Sequence, residues 1–300
     1  MGMIKKSIRK LLYRFGYEVQ KISKYSADHL AGKKRPVPVA TPPPQGPVWP
    51  LPRQTRGLTD DEIRKEFVKF DLWHYTYAFE GGISVPVRHL KPDRLIDDPK
   101  RHAQRFRHFM PWLLDAQNGS FKGKRVLDIA CNSGYWSIQC ALLGAEVVGF
   151  DARPELIRQA DLIKSIVGLT NVKFTVLDIK EMNPRSLNGT FDVVLNMGFL
   201  FHVSNPLETL QVSKAMSHKH LLLDTAVSTS KNPVFELRWE EPQDTWTACS
   251  AGIVTYPSRR AVEMMLMHCQ VTDWLEIPVR SHEIPPDYLN HRHASWLITV

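Results

Sequence analysis

Apolar residues recur along this chain with two different periods. Between residues 3 and 25, Ile4, Ile8, Leu11, Leu12, Phe15, Val19 and Ile22 follow the spacing of one helical face, with Lys5, Lys6, Arg9, Lys10 and Arg14 beside it. This predicts a basic amphipathic helix within residues 1–32. Its apolar stripe suits an anionic membrane surface, met through residues 1–25, or a docking face on this chain or a second copy; periodicity does not separate lipid from protein. Residues 33–57 break the pattern. Eight of the chain's 21 prolines lie between 33 and 53, which predicts an extended linker, read as a spacer rather than an SH3-type ligand. Thr59 and Glu62 have capping-box spacing and open a helix to about Phe70. Residues 70–87 are aromatic and β-rich with a turn at Gly81-Gly82, and Arg101–Leu114 reads as another helix. Residues 58–120 thus form an expected N-terminal helical and β cap. From Lys122 onward, apolar runs of strand length alternate with helical pattern, the mark of an α/β fold with a mostly parallel sheet.

Composition changes this picture little, but charge changes it more. The chain is 43% apolar and 23% charged, as in a soluble globular protein, and no apolar run nears the roughly 18 residues of a membrane-spanning helix. Residues 1–35 hold ten basic and two acidic residues, which accounts for the whole net charge of +8. The rest of the chain balances, which argues against nucleic acid as a partner, since that needs a basic face. Cys131, Cys140, Cys249 and Cys269 are scattered and form no CxxC pair, so free thiols in a reducing compartment and no metal site are expected. The expected location is cytoplasmic, peripheral at the inner membrane face if the basic helix binds lipid. The N-terminus lacks the apolar core of a secretory signal; its acid-free first 17 residues leave a transit peptide open.

The chemistry concentrates in residues 124–155. A strand at Val126–Ile129 runs into the loop Ala130-Cys131-Asn132-Ser133-Gly134, a helical pattern covers Tyr135–Leu143, and a second strand from Glu146 to Phe150 ends in Asp151. This is the first βαβ unit of a doubly wound fold, which binds ligands over the carboxyl ends of its strands. Asp151 is placed to accept hydrogen bonds from two ribose hydroxyls. A nicotinamide oxidoreductase is disfavoured, because Gly134 is the loop's only glycine and the G-x-G-x-x-G pattern is missing.

VLDIACNSGYW resembles the acidic D-x-G-x-G-x-G loop of class I S-adenosylmethionine-dependent methyltransferases, with Asp128 and Gly134 kept and Ala130 and Asn132 at the first two glycines. The resemblance continues through VKFTVLDI (172–179), FDVVLNMGFLFHVSNPLETL (191–210), HLLLDTAV (220–227), VTDWLEIPV (271–279) and ASWLITV (294–300). It implies a Rossmann-like methyltransferase fold over residues 121–300, with a mostly parallel sheet closed by a C-terminal antiparallel strand pair. It also implies S-adenosyl-L-methionine as cofactor, held by Asp128, Ala130, Asn132, Gly134, Tyr135, Trp136, Asp151, Ala152, Asp178, Ile179, Asn196 and Met197. Asp178 would address the adenine amine. Tyr135 and Trp136 fit either the pocket lining or the packing of the helix start. Residues 228–270, with Trp239, Trp246 and Tyr256, are expected to cover the acceptor.

A narrower resemblance adds the segment WHYTYAFEGGISVP. Together with SGYWS and NMGFLFHVSNPLETL it is similar to the tRNA wobble-uridine carboxymethyltransferase and its relatives in glycan, lipid and natural-product pathways. The tRNA enzyme has Tyr-His-Arg after strand four, whereas this chain has Phe201-His202-Val203. Losing the hydroxyl and guanidinium removes hydrogen bonds to a carboxylate, so the resemblance implies ordinary S-adenosylmethionine. The expected reaction is O-methylation of a sugar, glycolipid or other small-molecule hydroxyl; a tRNA-modifying transferase and a non-catalytic membrane-docking scaffold are the alternatives. His202, after strand four, is the first candidate for general base and His74 the second. His291-Arg292-His293 reads as a solvated turn rather than a metal or anion site.

Overall fold

The computed structural model describes residues 46–71, 73–85, 99–239, 252–279 and 283–300. The expected basic helix with its membrane face, the first part of the linker and Trp246 lie outside the described residues. Two helices come first, α1 (Asp60–Phe67) and α2 (Pro99–Ala116). The alternating part follows as β1 (Arg125–Ile129), α3 (Tyr135–Leu142), β2 (Glu146–Asp151), α4 (Pro154–Val167), β3 (Val172–Val176), β4 (Phe191–Met197), α5 (Pro206–Ala215) and β5 (Ser217–Ala226). The last elements are β6 (Phe235–Trp239), β7 (Ile253–Pro257), α6 (Arg259–His268), β8 (Asp273–Glu276), α7 (Pro286–Leu289) and β9 (His293–Thr299).

Seven strands form one sheet in the order β3-β2-β1-β4-β5-β9-β8. Strands β1 to β5 are mutually parallel, and β9 is antiparallel to both β5 and β8. Both sheet faces are covered, so the central strands read as continuous apolar runs. Leu221 and Leu223 pack on one face and Leu222 on the other. The face of Leu221 and Leu223 carries α5 and α6; the face of Leu222 carries α2, α3 and α4. Local signals match these elements. Thr59 and Glu62 make both bonds of the capping box on α1, Pro154 opens α4, and Gly168 closes it at φ 80°.

Three boundaries differ from the sequence expectation. The linker is not a free spacer up to residue 57. Val48 and the Gln139 side chain exchange two hydrogen bonds at 2.9 and 3.1 Å, Leu51 N–H donates to the Ala78 carbonyl at 2.8 Å, and Gln54 N–H donates to the Ile166 carbonyl at 3.1 Å. Proline fixes the chain in extended form, and an extended chain offers its remaining polar groups to whatever surface it crosses. The cap is also no separate body. Ile63, Phe67, Tyr77, Phe79 and Phe109 share one apolar cluster with Val126, Val193 and Leu222 of the sheet. Finally, the expected covering segment is shorter than 228–270, because α6 packs Val262, Met265 and Leu266 into the second core. What stands apart is the β6–β7 hairpin, on which Trp239 is 64% exposed.

Candidate active site

The carboxyl edge of the sheet gathers three carboxylates, one from each of β1, β2 and the turn after β3. Asp128 is buried on β1 and accepts a hydrogen bond from Ser137 Oγ of α3 at 2.6 Å. Burial pushes its carboxyl up to about 7, against the pull of Ser137. Asp151 is also buried. It accepts from Asn132 N–H at 3.1 Å, Arg153 N–H at 3.0 Å, Arg153 Nε at 2.9 Å and Arg153 Nη2 at 3.0 Å. Asp178 is exposed and caps the turn Ile179–Glu181 by accepting from Lys180 N–H at 2.9 Å. Ala152 is exposed at the end of β2, and Ile179 is half-buried beside Asp178.

The loop between β1 and α3 explains how a chain with one glycine builds this turn. Ala130, Asn132 and Gly134 stand at φ 51°, 53° and 86°, so alternate residues are left-handed. Asn tolerates that region and Ala enters it at a cost of roughly 1–2 kcal/mol. Gly134 has no alternative, because a Cβ there would lie 2.7 Å from Phe174 Cζ. Within the curl, Cys131 N–H donates to the Phe150 carbonyl at 2.8 Å, Asn132 N–H to Asp151 Oδ2 at 3.1 Å, Ser133 N–H to Asn132 Oδ1 at 2.7 Å and Gly134 N–H to the Cys131 carbonyl at 2.9 Å.

A residue outside the loop also secures it. Tyr77, fully buried, donates its hydroxyl to the Ser133 carbonyl at 2.6 Å. Nothing in the aromatic run 70–87 marks Tyr77 from its neighbours; its role comes from the cap and sheet sharing one core. Replacing it by Phe strands a buried carbonyl. Tyr77→Phe is therefore expected to lower unfolding stability by about 1–3 kcal/mol, read by urea denaturation, and to weaken S-adenosylhomocysteine binding several-fold.

Trp136 is 1% exposed and packs near Phe109, His102 and the Arg105 guanidinium, which places it in the helix-start core. Tyr135 sits in an aromatic group with Tyr75, His102 and Trp49. Met197 and Asn196 end β4. The Asn196 side chain is fully buried, donates to Ser213 Oγ at 3.2 Å, and keeps an unpaired Oδ1.

Beyond β4, the turn Leu200–His202 presents Phe201 and His202, both half-buried, their rings 3.8 Å apart. Tyr256 of the hairpin reaches Phe201 at 5.1 Å. Desolvation, then the charge of Arg153, depresses the His74 imidazole to about 3, so it stays neutral at ordinary pH and accepts a proton poorly.

The neighbouring polar group was not anticipated from sequence. Asp224, fully buried near the end of β5, accepts from Arg105 Nη2, from Tyr288 Oη at 2.7 Å and from Ser295 Oγ at 2.6 Å. Burial alone would raise its carboxyl, but Arg105 and then His293 and Ser295 hold it well below the usual carboxylate range. His293 is the second correction at this edge. It is not part of a solvated turn: it opens β9, is 7% exposed, and places Nδ1 at 3.4 Å from Asp224 Oδ1. Among the described residues, no cluster of three or more His, Cys, Asp or Glu could hold a metal ion, and no helix is long and apolar enough to cross a membrane.

The part of the chain that carries these strand ends and this loop is matched by a family model described as "Methyltransferase domain", over residues 120–277. The chain belongs to the methyltransferase domain family. This methyltransferase domain is of the S-adenosylmethionine-dependent class, with S-adenosylmethionine as its cofactor. Among curated relatives, the chain is 29% identical over 134 residues to the tRNA U34 carboxymethyltransferase of Helicobacter hepaticus, covering 42% of each. It is 39% identical over 154 residues to the ubiquinone biosynthesis O-methyltransferase of Cereibacter sphaeroides, covering 50% of this chain and 58% of that one. The chain thus spans about half the length of the curated relatives it matches. Among solved structures, the N-terminal domain of EvdMO1, determined in the presence of SAH and D-fucose, shares the fold at a TM-score of 0.62 and 20% identity, over 82% of this chain and 98% of that domain. Magnesium protoporphyrin IX methyltransferase from Synechocystis, with bound SAM, shares it at 0.51 and 16%, over 82% of this chain and 99% of that one.

Proposed function

We propose that this chain transfers the methyl group of S-adenosylmethionine to a hydroxyl of a sugar, glycolipid or other small molecule. The observation that carries the acceptor class is the state of four of the described arginines near the carboxyl edge. Arg153 pairs with Asp151, Arg105 with Asp224, Arg101 with Asp287 through two bonds of 2.8 and 2.7 Å, and Arg259 with Glu276 at 2.8 Å. A guanidinium already neutralised by a carboxylate has little attraction left for a phosphate or carboxylate ligand. An uncharged polyol meets no such mismatch. The relation to an O-methyltransferase of ubiquinone biosynthesis supports oxygen as the receiving atom, and the D-fucose of the EvdMO1 domain makes a sugar the first ligand to try. The relation to a tRNA U34 carboxymethyltransferase supports tRNA as a second reading.

The cofactor residues fit the group they would hold. Asp128 is a buried carboxylate whose one side-chain partner is a hydroxyl, and a cationic ligand supplies the charge it lacks. Asp151 would take the ribose hydroxyls, and the loop from Ala130 to Gly134 the cofactor's close approach. Asp178 and Ile179 would border the adenine, with Ala152 at its rim. Asn196 and Met197 would lie under the reactive end, beside Tyr135, and His202 would face the acceptor. The sulfonium supplies an activated methyl group; the chain's own task is to orient the acceptor oxygen and remove its proton.

Asp128 gives a pH signature. The native protein keeps its proton up to near pH 7, whereas an unfolded chain gives it up near pH 4, so its burial costs stability as pH rises through that window. A bound cation reverses that preference. S-adenosylmethionine affinity is expected to fall as pH drops below about 7, with release of up to one proton at pH 6, seen by calorimetry in buffers of different ionisation heat. The function itself is tested by incubating the full chain with methyl-tritiated S-adenosylmethionine and separate small-molecule, glycolipid and tRNA fractions of cells. Label in a sugar or lipid fraction supports the reading; label confined to tRNA moves it to the second, and no label in any fraction removes it.

A further inference from the structure

The histidine that best fits proton removal is not in the motif after β4. Because β9 runs antiparallel to β5, its first residue lies at the carboxyl edge, where β4 and β5 end. The register pairs Ala226 with His293 and Asp224 with Ser295. Gly198, just after β4, donates its N–H to the Asp224 carbonyl at 2.7 Å, so the end of β4 is fastened to the same residue. The His293 ring is held between Tyr288 at 4.8 Å and Phe201 at 6.4 Å. Its Nδ1 is buried and faces the Asp224 carboxylate at 3.4 Å, whereas Nε2 is not sealed in. The 3.4 Å contact is an ion-pair distance, longer than a full hydrogen bond; such contacts tighten when a substrate fills the site.

We propose that His293 takes the proton of the acceptor hydroxyl, with Asp224 as its positioning residue; this rests on the methyl-transfer reading above. A carboxylate behind Nδ1 fixes the tautomer that leaves Nε2 with a bare electron pair, and stabilises the imidazolium that forms. The step balances within the site. The acceptor O–H bond breaks and its proton passes to Nε2. The oxygen's electron pair forms the bond to the methyl carbon, and the carbon–sulfur pair stays on sulfur, leaving a neutral thioether. The imidazolium then gives its proton to water. The other charged or titratable groups facing the ring are Arg105 and His108 of α2, Asp287 and Tyr288 of α7, and Arg259 of α6, which donates to the His293 carbonyl at 3.1 Å. His202 lies across Phe201.

The first measurement needs no acceptor. Imidazole nitrogen NMR on the full chain, saturated with S-adenosylhomocysteine and assigned with His293→Gln, is expected to show His293 as the Nδ1–H tautomer at pH 8. Asp224→Asn is expected to erase that preference. An Nε2–H tautomer in the unmodified protein would overturn the dyad. The second measurement repeats the tritium assay. His293→Gln is expected to lower transfer about 100-fold or more while changing S-adenosylhomocysteine affinity less than twofold. Full transfer by His293→Gln, with loss in His202→Gln, would assign the proton to His202 and overturn the proposal. If the unmodified chain labels nothing, the methyl-transfer reading fails by itself, and the tautomer still decides whether the dyad exists.

Discussion

Asp224→Ala is expected to lower unfolding stability by about 3–5 kcal/mol, a fall in melting temperature on the order of 10 °C. The reason is what remains behind. Arg105 has only 8% of its side chain exposed, and Asp224 is its ion-pair partner. Removing the carboxylate leaves a guanidinium desolvated without its counter-charge, and leaves Tyr288 and Ser295 without their acceptor. The charge is what matters, so Arg105→Met in the Asp224→Ala background is expected to recover a large part of the loss, because two apolar replacements need no counter-charge. Urea denaturation of both single variants and the double variant reads the coupling. A double variant as unstable as the two losses added together would mean that the pair does not act as a unit.

The second large effect is on ligand binding. All four hydrogen bonds that the structure shows on the Asp151 carboxylate come from Asn132 and Arg153, which fills the usual capacity of that group. Two ribose hydroxyls can bind there only by displacing part of the Arg153 fork. Two charge-assisted bonds of about 1.5 kcal/mol each correspond to roughly 100-fold in affinity, so Asp151→Ala is expected to weaken S-adenosylhomocysteine binding by about that factor. Arg153→Ala removes the competitor and is expected to strengthen binding, by up to about tenfold. Calorimetry separates the two signs. Equal weakening in both variants would mean that Arg153 helps to hold the ligand and that the ribose does not replace it.

Much of this architecture was legible from periodicity and turn chemistry. The alternation from β1 to β5, the capping box at Thr59 and Glu62 and the closing antiparallel strands all follow from local pattern, because each is set by neighbours within a few residues. The acidic strand ends at Asp128 and Asp151 were legible for the same reason. What escaped was set by distant neighbours. Nothing in the sequence around Arg105 says that its partner lies on β5, and nothing in HRH says that the second histidine turns inward. A polar triplet next to a strand has the composition of a solvated turn; only the register with β5 buries His293. The linker misled in the opposite direction. Proline richness correctly indicates an extended chain, but an extended chain can be stitched to a surface, as Val48, Leu51 and Gln54 are. The β1–α3 loop also shows that left-handed geometry belongs to positions rather than to glycine alone, since Ala130 and Asn132 adopt it.

The place of β9 has a consequence for biosynthesis. Among the described strands this one comes last in sequence, yet it lies inside the sheet, between β5 and β8. Before it leaves the ribosome, β8 has no partner and β5 presents an open edge along Leu221, Leu222 and Leu223. The buried Asp224 likewise waits for Ser295 and His293, long after Arg105 has been made. Native pairing at this edge therefore waits for residues 293–299, and a nascent chain stalled ahead of residue 293 leaves β5 and β8 without the strand that joins them.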